Sequence, residues 1–384
     1  MNRQLVMLIA LSTLVYAVMM GSKVAVTIAA VKITDSNAVV GVLVSMYSMM
    51  PMFFGLWMGR LIDRFGILRP MAGAAVVSLV GTLLPFIYPS VWTLGVASAA
   101  NGLSFIITAM SLTNAGAQIG KVEDRTRNLS LIYLGNSAGM ALGPLVAGFG
   151  IDHFSYRGTF AMLALLPALS LVLLGMWRHL MPGGRGSGKP PSGHPLDFLR
   201  NPQLRALIMA HLMISVCMEA FYFGVPLHGT RAGLSASMIG TIISAAFVAN
   251  FVSRSLVAVL IRQIGEAALV SAVFVIAGVS VAAFAHFTLP AALMVAAAGV
   301  GICHGMAVPI ITSISFTASP PGRQGEISGV RTMMLNGSIA VMQVALGGLS
   351  ALVGIAPVMW AMGALGIGAV RLVKKGVSAP GGSV

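Results

Sequence analysis

Hydrophobic residues in this chain come in long unbroken runs, separated by short segments where charge, glycine and proline collect. Twelve runs can be marked, at about 5–30, 38–58, 70–88, 92–116, 128–150, 158–178, 205–227, 236–260, 267–286, 289–316, 325–348 and 351–373. Each is long enough to cross roughly 30 Å of hydrocarbon as an α-helix, the form in which a lipid-exposed backbone satisfies its own hydrogen bonds. The pattern predicts an all-α integral membrane protein with 12 transmembrane helices. Six runs lie on each side of Pro182-Gly183-Gly184-Arg185-Gly186-Ser187-Gly188-Lys189-Pro190-Pro191-Ser192-Gly193, a flexible composition that cannot bury a core. The expected organisation is an N-terminal six-helix bundle over 1–180, a cytoplasmic linker over 181–204 and a C-terminal six-helix bundle over 205–384. The halves echo each other. Gly66 and Gly265 close equivalent loops 199 residues apart, and Asn136/Asn336 and Gly148/Gly348 repeat at an offset of 200, as duplication of a six-helix unit would produce. Met1-Asn2-Arg3 before an apolar run has the look of a signal peptide, but the apolarity continues to about Ala30, so the run is read as an uncleaved first span.

Composition agrees with lipid as the main solvent. Hydrophobic residues make up 57% and charged residues only 8%, against roughly 25% charged in a soluble domain, and the mean hydropathy is +0.94. A net charge of +14 would ordinarily raise nucleic acid as a partner. Here the basic residues sit in short turns between apolar runs, where no binding stripe can form, so nucleic acid is set aside. With an even span count both termini share one side. That side takes most of the 23 Lys and Arg, including Arg3, Arg60 to Arg69, Lys121, Arg125, Arg127, the linker, Arg371, Lys374 and Lys375; among the turns opposite, only Lys32, Arg157 and Arg231 are basic. The positive-inside rule then puts both termini in the cytoplasm of a plasma membrane, a bacterial inner membrane being the natural setting. Cys217 and Cys303 lie inside apolar runs and offer neither a disulfide framework nor metal spacing. There is no Walker A segment, nucleophile elbow or zinc-ligand cluster, so no enzyme, cofactor or metal is expected.

Two motifs narrow the class. After the second run stands Gly59-Arg60-Leu61-Ile62-Asp63-Arg64-Phe65-Gly66-Ile67-Leu68-Arg69. Glycines let helix ends approach, Asp63 can cap or pair, and Arg60, Arg64 and Arg69 hold the loop at the cytoplasmic face. The fifth run carries Gly135, Gly139, Gly143-Pro144, Gly148 and Gly150. Glycines four apart permit close helix contact, and Pro144 removes a backbone hydrogen bond. The first segment resembles the G-x-L-x-D-R-x-G loop of the major facilitator superfamily. The second resembles the antiporter motif G-x-x-x-G-P-x-x-x-G of its drug- and metabolite-exporting branch, although small-residue packing alone also yields such spacing. The resemblance implies two pseudo-symmetric six-helix bundles around a cavity open alternately to each side, with Asp63 and its arginines latching the inner gate. Two departures stand out. Exporters of that branch carry arginine in span 4 in a pattern R-x-x-Q-G, whereas Ser98-Ala99-Ala100-Asn101-Gly102 has Ser98 there. The second-half loop has Arg262 in place of the aspartate.

Polar residues within the runs are the functional candidates, because charge at membrane depth is costly. Lys23 shares a stripe with Ser12, Tyr16 and Met19, and either lines the cavity or snorkels to headgroups. Glu219, with Tyr222 a turn on, is the deepest carboxylate and the candidate proton carrier, the alternative being a static pair closing a gate. His304 is the second candidate for coupling, or a structural donor. Arg254 shares a face with Asn250 and Phe247, and either holds an anionic group or supports the inner gate. Asn101, Asn136, Asn336 and Gln343 complete the candidate substrate cavity, or bond between helices.

The expected function is secondary transport of a small organic molecule, by proton-coupled export, in a protein that acts as a monomer in the bilayer. An importer or facilitator of a small organic anion, using Lys23 and Arg254, is the alternative. A non-transporting sensor or complex subunit is the remote one, since the longest loop is only a Gly/Pro linker.

Overall fold

In the computed structural model of the chain, residues 3–119, 125–180, 200–318 and 324–372 are described. Among them the regular structure is entirely helical: α1 (Arg3–Ile33), α2 (Asn37–Phe65), α3 (Leu68–Ile87), α4 (Val91–Gln118), α5 (Arg125–Met176), α6 (Pro202–Arg231), α7 (Ala236–Ile264), α8 (Glu266–Phe284), α9 (Pro290–Thr317), α10 (Gln324–Val353) and α11 (Ile355–Gly368). Each segment predicted as a span lies mainly on one of these helices; the run at 351–373 starts three residues before the break at Gly354 that separates α10 from α11. Eleven helices serve for twelve crossings because α5 contains two. Its 52 residues would reach about 78 Å as one rod, more than twice the hydrocarbon thickness. The rod breaks at Ser155, whose φ of 65° and ψ of 167° are not helical. Beyond the break the chain folds back, so that a Cβ added at Gly150 would lie 3.0 Å from Thr159 Oγ1.

The sequence repeat reappears as backbone geometry. Gly66 (φ 77°, ψ −174°) ends α2, and Gly265 (φ 80°, ψ 159°), 199 residues later, precedes α8. Ser155 and Gly354 (φ 81°, ψ 170°) are separated by the same 199 residues and form the equivalent second pair. All four turns place one residue in a left-handed, extended conformation that glycine adopts freely and other residues do not. The helices that start the even-numbered crossings repeat as well. Ser36 Oγ accepts from Val39 N at 3.5 Å to begin α2, and Ser235 Oγ accepts from Met238 N at 3.2 Å to begin α7.

The chain divides into two compact units, Met1–Gly188 with Gly229–Ser244, and Lys189–His228 with Ala245–Val384. In the first, α1 packs most extensively on α5, and α4 on α2 and α3; Leu8, Leu11, Met71, Leu112, Ile132 and Leu174 meet in its core. In the second, α8 packs on α9 and α11, around Leu207, Val270, Phe274, Cys303 and Ile310. Large apolar side chains such as Phe53, Trp57, Trp92, Val295, Val341 and Leu352 are exposed. Apolar surface of this kind is what lipid-facing helices require and what a water-soluble surface avoids.

Candidate functional site

The fifth-span glycines form a staircase against α1. Gly135 faces the carbonyl oxygen of Ile9, Gly139 that of Thr13, and Gly143 that of Ala17 together with the backbone of Gly21. At each step an added Cβ would collide with main-chain atoms, which cannot rotate aside. Two hydroxyls of α1 tie the seam: Ser12 Oγ donates to Ile132 O at 3.1 Å and to Asn136 Oδ1, and Thr13 Oγ1 donates to Gly135 O at 3.2 Å. Gly148 and Pro144 continue the same helix against a different partner. A Cβ at Gly148 would strike Ala236 O, and one at Gly240 would strike Pro144 O, so this stretch lies backbone to backbone on the start of α7.

One turn beyond Gly148, Asp152 closes that contact. Its Oδ1 accepts from Ala236 N at 3.0 Å and its Oδ2 from Ser237 N at 2.7 Å. Together with Ser235 these bonds satisfy the first three free N–H groups of α7, where the helix dipole also favours a negative charge. Nearby in the same unit Arg157 donates to Phe86 O and Ile87 O at 3.0–3.1 Å, and Arg231 donates to Asn37 Oδ1 at 2.6 Å. The sequence offered a signal for Asp152, an acidic residue at the end of a glycine-rich span, but no indication of its partner.

The loop motif is partly on view. Gly66 N donates to Ile62 O at 2.9 Å as α2 ends. Arg60, Arg64 and Arg69 are exposed, with the Arg64 guanidinium 5.2 Å from the Phe65 ring centroid. The side chain of Asp63, and residue Gly59 beyond its place in α2, lie outside what is described.

Other first-unit candidates occupy separate places. Lys23 is buried, only 6% exposed, so it is enclosed by protein. Tyr16 meets Phe105 edge-on at 5.0 Å. Asn101 is held between α3 and α4: its Oδ1 accepts from Ser78 Oγ at 2.6 Å, and its Nδ2 donates to Thr82 Oγ1 at 3.0 Å and Ala97 O at 2.9 Å. With Leu11, Met19, Ser104 and Phe105 it borders a cavity of about 20 Å³, room for one water.

In the second unit, Gln343 on α10 is fully buried and its Nε2 donates to Glu219 Oε2 at 2.8 Å. Tyr222, a turn beyond Glu219 on α6, stacks on Phe247 at 4.7 Å. The Tyr222 hydroxyl and Gln343 Oε1 are buried without a hydrogen-bond partner among the described residues. Asn250 Nδ2 and His304 Nδ1 are 2.9 Å apart, bringing α7 to α9, and Arg254 lies within electrostatic reach of His304. The structure therefore joins Glu219 with Gln343 and Tyr222, and Asn250 with His304 and Arg254; Asn336 sits half-buried on α10. It adds residues that sequence reasoning passed over. His211 on α6 lies within electrostatic reach of Arg331 and His304, and Arg331 Nη1 donates to Thr312 Oγ1 at 2.7 Å. A single histidine near the start of one apolar run, and an arginine near the start of another, carried no signal of their juxtaposition.

Comparison with known proteins gives this architecture a family. A curated relative, the tetracycline resistance protein, class B, of Escherichia coli, is 28% identical over 144 residues, 36% of this chain and 34% of that protein, so the match spans about a third of the relative's length. Among solved structures, the nucleoside transporter NupG superposes with a TM-score of 0.81 at 11% identity, covering 98% of this chain and 100% of that one. A POT family transporter in complex with 5-aminolevulinic acid gives 0.80 at 11% identity, covering 97% and 95%. At such identities these two likenesses speak to the fold alone. The family model of the Major Facilitator Superfamily matches residues 7–343, most of the chain, and with the loop and fifth-span motifs in helices of the expected order, the chain belongs to the major facilitator superfamily of membrane transporters.

Proposed function

We propose that the protein is a secondary exporter of a small organic molecule, driven by proton exchange across the plasma membrane, working as a monomer with both termini in the cytoplasm. The halves at 1–180 and 205–384 rock about the substrate, Asp63 and the arginines of its loop latch the inner gate, and Glu219 carries the proton. The observation that supports this most directly is the Glu219–Gln343 hydrogen bond of 2.8 Å inside helices of the second unit, beside Tyr222. The carboxylate there accepts a hydrogen bond from a buried neutral amide. A change in its protonation must alter that bond, and only a group whose two forms interact differently can shift an equilibrium between two orientations. The partial likeness to a tetracycline resistance protein points the same way.

The test is transport in inverted vesicles against a metabolite and drug panel, with and without a proton gradient. Glu219→Gln should abolish gradient-driven accumulation while leaving substrate exchange intact. Accumulation that survives in this variant refutes the role of Glu219. A second reading, import or facilitated passage of an organic anion, is favoured by one observation. Ser98, in the span 4 place where exporters carry arginine, is fully buried and its hydroxyl donates to Leu94 O at 2.9 Å, so that position offers no charge. Wild-type transport that ignores the proton gradient would establish this reading in place of the first.

A further inference from the structure

We infer that Arg254, His304 and Arg331, with His211, Asn250 and Thr312 around them, form an oxyanion site in the second unit, one that binds a carboxylate or phosphate group of the transported substrate. The inference rests on the reading of the chain as a transporter and adds the chemical class of its cargo.

Depth comes first. Arg254 precedes Gly265 by eleven residues of α7, about 16 Å of helical rise, which is the middle of a 30 Å hydrocarbon layer. His304 stands near the centre of the 28-residue α9. A guanidinium near a helix end can reach the headgroups; one at the midplane must be matched locally. Counter-charge is the second point. Among the described residues none of His211, Arg254 or His304 meets a carboxylate, and the charged neighbours within electrostatic reach of His211 and His304 are cationic or imidazole groups. Nδ1 of His211, a residue only 5% exposed, has no hydrogen-bond partner among them. Glu219 does not serve here: it is engaged by Gln343, and it is not among the electrostatic neighbours of His211 and His304, which are Arg331, His304 and Arg254.

Four helices thus deliver donors of one kind to one region. α7 gives Asn250 and Arg254, α9 gives His304 and Thr312, α10 gives Arg331 and α6 gives His211, with Asn250 already 2.9 Å from His304 and Arg331 already 2.7 Å from Thr312. Arg254 is exposed, one turn along α7 from the buried Asn250. Planar guanidinium groups flanked by neutral N–H and O–H donors match the geometry of a carboxylate or phosphate, which accepts two parallel bonds.

Purified protein in a neutral detergent would be unfolded thermally in sodium succinate or glycerol phosphate, with sodium chloride at equal ionic strength and uncharged 1,4-butanediol and glycerol as references. At least one oxyanion should raise the melting temperature in a concentration-dependent way, and the uncharged analogues should not. Arg254→Gln should weaken that response at least tenfold in apparent affinity, Arg254→Lys less, and Arg331→Gln provides a second variant should the first fail to fold. Wild-type transport that ignores the proton gradient, with oxyanion stabilisation intact, overturns the exporter reading and not this one. The inference is overturned if no oxyanion exceeds chloride, if both glutamine variants respond as wild type, or if only added phosphatidylglycerol stabilises, which would make the site a lipid headgroup site.

Discussion

Ser155 invites a test in which the protein supplies its own control. Its φ of 65° and ψ of 167° lie in a region populated almost only by glycine, and a residue with a Cβ held there stores about 1–3 kcal/mol of strain. The repeat-related position, Gly354, has nearly the same angles and already carries glycine. Ser155→Gly removes the strain. Against that stand the greater freedom of glycine in the unfolded chain, about 0.4–1 kcal/mol, and the loss of a long 3.5 Å contact from Gly158 N to Ser155 Oγ. The net should be stabilisation of roughly 0.5–2 kcal/mol, a rise of about 1–3 °C in melting temperature for a chain of this size. Gly354→Ala should move the other way by about 1–3 kcal/mol, although open space surrounds Gly354, because the penalty is torsional and not steric. Ser155→Ala keeps a Cβ and should gain nothing. Thermal unfolding of the four proteins in one detergent checks all three signs. A destabilised Ser155→Gly, or a neutral Gly354→Ala, would refute the reasoning that these turns are held by their backbone angles.

Two further predictions concern α5. Gly143→Ala should cost about 1–3 kcal/mol, and Gly143→Leu should lower folded yield sharply, because the new atoms meet Ala17 O and Gly21 N; unchanged thermal stability and turnover in both would mean the seam is not a tight contact. Asp152→Ala should speed hydrogen exchange at the amides of Ala236 and Ser237, which its carboxylate accepts, while Met238, bonded to Ser235, changes less. The associated loss is about 0.3–1 kcal/mol, the scale of an anion at a helix N-terminus. Equal protection of all three amides in variant and wild type would remove Asp152 from the cap.

The elements were legible because lipid imposes a coarse rule: a crossing needs about 20 apolar residues, and runs of that length are visible in one dimension. The repeat was legible where it used glycine, as at Gly66 and Gly265, and hidden where Ser155 takes the same conformation with a residue that marks no turn. The facing of polar side chains was harder to read. Asn101 and Gln343 look alike as single amides in apolar runs. One is held by Ser78, Thr82 and Ala97, the other meets Glu219. What separates them is which neighbouring helix arrives at that height, and spacing along a single chain does not encode it. His211 and Arg331 came together for the same reason, from helices 120 residues apart in sequence.

The staircase of Gly135, Gly139 and Gly143 has a mechanical meaning. Packed helices usually slide by small rotamer adjustments in the layer of side chains between them. Along this seam that layer is missing: main chain rests on main chain from Ile9 to Gly21, cross-tied by the hydroxyls of Ser12 and Thr13. There is no lubricant to shear. α1 and the first limb of α5 therefore travel as one plank, and any tilt that lifts Gly148 away from Ala236 must carry Tyr16 and Lys23 with it.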